Sequence, residues 1–170
     1  MKNRALATAL AFTVLSSLPA QAQTDPLPNS GTYFITSMKS DEALQPAGNT
    51  VGQNVLLHDY DRCGLQKWVI DRKIDPKTKK PTNRYTIRLA GESDDLNFQP
   101  HPVADCPAMI GSDKSVFVVE SGGDSGMLIK SVARNGDALF VFTQPPLASE
   151  AKFGPSDGSP KFRWKFTRAE

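Results

Sequence analysis

The sequence predicts an all-β domain of three similar lobes, carried behind a cleavable export signal. Two observations point to the β class: short runs of β-branched, aromatic and leucine residues alternate with Gly, Pro, Asn and Asp, and no helical periodicity follows residue 22. A third gives the threefold division, because two kinds of marker residue return with nearly one period.

The clearest strands are Thr32 to Ser37, Asn54 to His58, Lys67 to Asp71, Arg84 to Leu89, Val116 to Glu120, Met127 to Ser131, Ala138 to Phe142 and Arg163 to Arg168. The segments TYFITSMKSDEAL from Thr32, RYTIRLAGESDDL from Arg84 and MLIKSVARNGDAL from Met127 share one rhythm: a strand, a polar turn, a leucine. Those leucines, Leu44, Leu96 and Leu139, stand 52 and 43 residues apart. Each segment is followed by a strand that opens on an aromatic, in KWVID, VFVVE and RWKFT, and Trp68, Phe117 and Trp164 stand 49 and 47 apart. Lobes at about 31–73, 84–121 and 126–170 are expected, each of four strands. Such a lobe cannot bury its apolar face alone, whereas three closing around an axis share one core without free edges. The three aromatics and three leucines are the expected core.

Residues 1–22 read as the export signal. Lys2 and Arg4 make a charged start, Ala5 to Leu18 an apolar run, and Ala20-Gln21-Ala22 a cleavage site. The run is shorter than the roughly 20 apolar residues of a resident membrane span, and no second run of that length follows. The expectation is a mature chain from about Gln23, secreted or periplasmic, that does not insert into a membrane. Of the 170 residues, 148 then remain, with 18 basic and 18 acidic side chains. A balance so neutral lacks the basic footprint of a nucleic-acid binder.

Gly31 to Ile70 reads GTYFITSMKSDEALQPAGNTVGQNVLLHDYDRCGLQKWVI. It resembles one repeat of the ricin B-type β-trefoil lectins, with an opening Y-x-I strand, a leucine strand, a G-x-x-V-x-L strand and a Q-x-W at Gln66-Lys67-Trp68. Lobes two and three carry Ser115-Val116-Phe117 and Phe162-Arg163-Trp164 in place of Q-x-W. The resemblance implies a β-trefoil and a shallow sugar pocket in a lobe. There an acid after the leucine takes two hydroxyls, an aromatic after the third strand stacks on the ring, and an Asn beside the Q-x-W glutamine adds a hydrogen bond. In lobe one the acid's position falls on Gln45 and that of the Asn on Leu65. The aromatic falls on His58 or Tyr60, Gln66 is retained, and Asp59 and Asp61 are available as substitutes. The alternative for Gln66 is a polar turn in which it ties down the backbone.

Cys63 and Cys106 are expected to close one structural disulfide, since export places them in an oxidising compartment. Their spacing excludes a C-x-x-C redox motif, and with only His58 and His101 available no metal site or other cofactor is expected. Three segments read as long loops: Lys73 to Arg84, Gln99 to Pro107 and Gln144 to Pro160. The first presents Lys77, Lys79 and Lys80, which suit either a solvated linker or a protease-inhibiting loop. No G-x-S-x-G or H-E-x-x-H motif occurs, and Glu92, Asp94 and Asp95 cluster as a solvated turn rather than as catalytic acids, so no enzyme is expected. Three readings of function stand: a carbohydrate-binding lectin, a protease inhibitor acting through a loop, and a subunit of a toxin or surface assembly.

Overall fold

The structure, a computed structural model, describes residues 27–91, 95–122, 125–143 and 148–170. The expected signal at residues 1–22 lies outside these, as do Glu92, Asp94 and the stretch 144–147. The described chain folds into twelve strands: β1 Gly31–Ser37, β2 Ala43–Pro46, β3 Val55–His58, β4 Lys67–Ile74, β5 Pro81–Leu89, β6 Asn97–Gln99, β7 Met109–Gly111, β8 Phe117–Ser121, β9 Met127–Ser131, β10 Ala138–Phe142, β11 Glu150–Gly154 and β12 Trp164–Arg168.

Six of them, β1, β4, β5, β8, β9 and β12, pair antiparallel in a closed ring. Closure leaves no free barrel edge. The remaining strands form three hairpins, β2–β3, β6–β7 and β10–β11, which cap one end. The hairpins also join one another, through Glu150 opposite Leu56, Asn54 opposite Met109 and Pro107 opposite Lys152.

Register defines the threefold repeat more sharply than spacing does. Tyr33 faces Trp68, Tyr85 faces Phe117 and Met127 faces Trp164, so these pairs occupy one position in the three lobes. Thr36 opposite Ala43, Arg88 opposite Asn97 and Lys130 opposite Ala138 then align the hairpins. The residue after each is Leu44, Phe98 and Leu139. Leu96 is therefore not the lobe-two counterpart of Leu44, as its spacing suggests: it is buried, but it precedes β6, and Phe98 takes the equivalent place. Lobe two has a longer turn before its second strand, which carried a leucine into the expected register by coincidence. Lobe three is likewise offset by one residue at its first strand.

The core is stacked in threes around the axis, with Ile35, Ile87 and Ile129 near the middle and Trp68, Phe117 and Trp164 wholly enclosed. Two indoles are fixed by the same bond: Trp68 Nε1 donates to the Leu44 carbonyl at 3.0 Å and Trp164 Nε1 to that of Leu139 at 2.9 Å. Phe117 has no N–H to give. In its lobe Phe98 replaces the leucine and packs on Phe117 at 5.4 Å, while also meeting Trp68 at 5.6 Å. Lobe two thus exchanges a hydrogen bond for ring contact. At the opposite barrel end the Tyr33 hydroxyl donates to Asn29 and that of Tyr85 to Pro28, each at 3.0 Å, drawing the entering chain across the opening.

Two expected loops are partly strand. Residues 73–84 continue β4 and β5 as a hairpin, with Ile74 opposite Pro81 and a register shift between Arg72 and Ile74. The two prolines fall where the ladder loses nothing, one in the turn and one at a strand start. The span from 144 to 160 contains β11, where Ala151 and Phe153 face inward and Glu150 and Lys152 pair outside at 3.0 Å. That alternation is period two, but only five residues long.

The repeated indole bond generates a prediction. Trp68→Phe and Trp164→Phe each leave a buried carbonyl unpaired and a small void, and should lower unfolding free energy by about 2–4 kcal/mol in urea titrations. A change under about 0.5 kcal/mol would show that the bond contributes little.

Candidate functional site

Lobe one keeps its Gln-x-Trp, and Gln66 is the centre of its polar structure. Trp68 fixes β4 in the core, and the short 3-10 turn Gly64–Gln66 before it turns the Gln66 side chain fully inside. Nε2 donates to the Asp59 carbonyl at 2.7 Å and to Gln45 Oε1 at 3.1 Å. Oε1 accepts from the backbone N–H of Arg62 at 3.0 Å and of Asp61 at 3.2 Å. Two donors and two acceptor sites are all the amide has, so Gln66 is saturated by the chain itself.

The bonds land on both sides of Tyr60. One amide therefore fixes the whole loop from Asp59 to Arg62. Asp61 completes the turn by accepting the Cys63 N–H at 3.0 Å, which holds its carboxyl below the usual carboxylate range. Arg62 takes a left-handed backbone conformation, φ 61°, to reverse the chain.

Of the expected sugar-site residues, Gln45, Asp61 and Gln66 are brought together, but as structural partners of one another and of the backbone. Gln45 faces Gln66 and the Cys63 thiol, which donates to its Oε1 at 3.6 Å. His58 ends β3 exposed, opposite Ala43. Tyr60 turns the other way, onto the outer wall of the barrel. There it meets Phe34 edge to face, ring centroids 5.3 Å apart, and Arg62 lies over its ring at 5.6 Å. Together with Lys67, Thr167 and Arg168 these residues line a pocket of about 250 Å³. None of Phe34, Lys67 and Arg168 was expected at a site. The signal was present in β1, where three aromatic or aliphatic residues run consecutively at Tyr33, Phe34 and Ile35. A barrel strand alternates inside and outside, so the middle one had to be covered by something.

The expected disulfide is not formed: Cys63 and Cys106 are separate thiols. Cys63 is engaged with Gln45 in lobe one, whereas Cys106 precedes Pro107, which pairs with Lys152 of lobe three. The lysines form a tight turn rather than an extended loop. Asp75 Oδ1 accepts the N–H groups of Lys77 and Thr78 at 2.7 and 2.9 Å, and Lys79 has φ 57°.

No family model and no curated protein matches the sequence. Solved structures do match. A mosquitocidal holotoxin superposes with a TM-score of 0.69 at 14% identity, over 84% of this chain and 18% of that one. The Rhizoctonia solani agglutinin gives 0.68 at 15%, over 85% and 98%. An earthworm lectin C-terminal domain mutant, in complex with 6'-sialyllactose, gives 0.59 at 14%, over 82% and 99%. The fold is a β-trefoil. This chain spans less than a fifth of the holotoxin and nearly all of the agglutinin and of the lectin domain.

Within the trefoil, register shows what became of the other two lobes. The counterparts of Gln45 are Gln99 and Phe140, and those of Gln66 are Ser115 and Phe162. In lobe two Gln99 folds over Gly111 and donates instead to the Asp113 carbonyl. In lobe three Phe140 and Phe162 meet at 5.2 Å, an apolar pair where lobe one has an amide pair. Among the described residues, lobe one alone holds its outer loop with an amide at this position.

Gln66→Leu keeps the volume and removes all four bonds, leaving the Asp59 carbonyl and the N–H groups of Asp61 and Arg62 without their side-chain partner. Unfolding free energy should fall by about 2–4 kcal/mol, and amide exchange should quicken over residues 59–62 ahead of the barrel. Exchange that stayed unchanged in that loop would show that Gln66 does not hold it.

Proposed function

We propose that this trefoil is an exported, non-catalytic carbohydrate-binding protein whose ligand-bearing part is the Gln66-held loop of lobe one. The observation that carries the reading is the arrangement of that loop: Tyr60, half buried, among the exposed His58, Asp59, Asp61 and Arg62, on a support that cannot shift without breaking the Gln66 bonds. Polar groups around an aromatic wall suit a ligand with both C–H and hydroxyl faces. Loops on a rigid β scaffold are where such contacts usually lie. The agglutinin and the earthworm lectin give the reading further support as structural neighbours.

A second reading is favoured by one finding. The holotoxin match covers only 18% of that chain, so a similar fold also occurs as one part of a longer toxin chain. A role as the recognition subunit of a toxin or surface complex is compatible with sugar binding and adds a partner to it.

A glycan array probed with the chain from Gln23 onward is expected to show retention on a restricted set of glycans. Properly folded protein that is retained on none would overturn the carbohydrate reading.

A further inference from the structure

The pocket between the lobe-one loop and the barrel wall is unlike the rest of the surface. Phe34 points outward from β1, its neighbours Tyr33 and Ile35 being in the core, and yet it is only 5% exposed. It faces Lys67 across β4 and Thr167 across β12, so these three side chains emerge side by side at the seam where lobe one meets lobe three. Tyr60 closes over them from above.

Three cations line this space, Arg62, Lys67 and Arg168, with Glu170 as its acidic residue. Among the described residues, the ion pairs are Lys130 with Glu120, Lys152 with Glu150 and Lys161 with Asp157. None of the three pocket cations takes part in one. The Tyr60 hydroxyl is buried and has no hydrogen-bond partner among the described residues. Leaving such a group unpaired costs about 1–3 kcal/mol.

An unpaired cluster of positive charge beside an orphaned hydroxyl and an aromatic wall is a site for an anion that also carries hydroxyl groups and C–H faces. Its volume, about 250 Å³, is below the ~300–1,000 Å³ typical of sites for drug-sized ligands, so it holds a single ring rather than a long oligosaccharide. We propose that the seam pocket binds a carboxylate-bearing sugar residue, its carboxylate held by Lys67 with Arg62 and Arg168, and its hydroxyls by Tyr60 and Thr167. Neither Gln45 nor Gln66 lines this pocket, so it differs from the lobe pocket that the lectin resemblance implies, with Tyr60 common to both. The inference rests on the carbohydrate reading and gives it a ligand class and a location. Gln66 acts here as a positioning residue, since its bonds to Asp59, Asp61 and Arg62 place Tyr60 and Arg62 at the pocket.

The test is calorimetric titration of the chain from Gln23 with glucuronic acid and N-acetylneuraminic acid, against glucose, galactose and inorganic sulfate. Both acidic sugars are expected to bind about tenfold or more tightly than the neutral sugars and than sulfate. Arg62→Gln and Lys67→Gln should each weaken them about tenfold at an unchanged melting temperature. Tyr60→Phe should weaken them several-fold without loss of stability, an outcome that a purely structural tyrosine would not give. Equal affinity for acidic and neutral sugars, sulfate binding as well as the acids, or wild-type affinity in both charge variants would overturn the assignment while leaving the carbohydrate reading standing. Binding to no sugar at all, together with a blank glycan array, would overturn both.

Discussion

The structure depends on one shared core. No lobe has enough apolar surface of its own, so Trp68, Phe117 and Trp164 are enclosed only because six strands close into a barrel and three hairpins seal its end. In lobes one and three, the bond from the indole N–H to a leucine carbonyl ties barrel to cap. It fixes the second strand of the lobe against the fourth and sets where the chain between them must run. Lobe two achieves the same closure with Phe98 and Phe117 in ring contact, so what the fold requires is the filled volume, with the hydrogen bond as one way to orient it.

Everything specific to lobe one follows from the residue two places before Trp68. Because the tryptophan is immovable, Gln66 is held inside, and because Gln66 is inside, its amide must be satisfied by whatever backbone passes over it. That backbone is the loop carrying Tyr60 and Arg62. The same position in lobe three is Phe162, which packs on Phe140 and leaves nothing polar to hold a loop in this way. Threefold symmetry therefore survives in the core and is lost at the surface, where each lobe has been free to change.

Much of the fold was legible in the sequence because its strongest signals are large aromatics, and burial of those residues allows few alternatives. The eight expected strands are present, and Trp68, Phe117 and Trp164 mark equivalent positions in the three lobes. Three strands of the cap were not legible. Asn97 to Gln99, Met109 to Gly111 and Glu150 to Gly154 are made by pairing within a cap, not by local preference. Spacing misplaced Leu96 because it cannot distinguish a longer turn from a shifted strand. The site was half legible. Gln66 stood out as part of a pattern, and its alternative role, tying down the backbone, is the one the structure shows. Phe34, Lys67 and Arg168 come together only when β1, β4 and β12 are side by side, and nothing local in the sequence announces that seam.

Lobe one's outer loop and the adjoining barrel wall are where we propose that this trefoil meets its ligand. Amide chemical-shift mapping during titration with a retained glycan tests that most directly. Shifts should concentrate at residues 60–62, Lys67 and residues 167–168, and leave the tip of the lysine hairpin at residues 77–80 unmoved. Shifts confined to lobes two and three, or to the lysine hairpin, would contradict it.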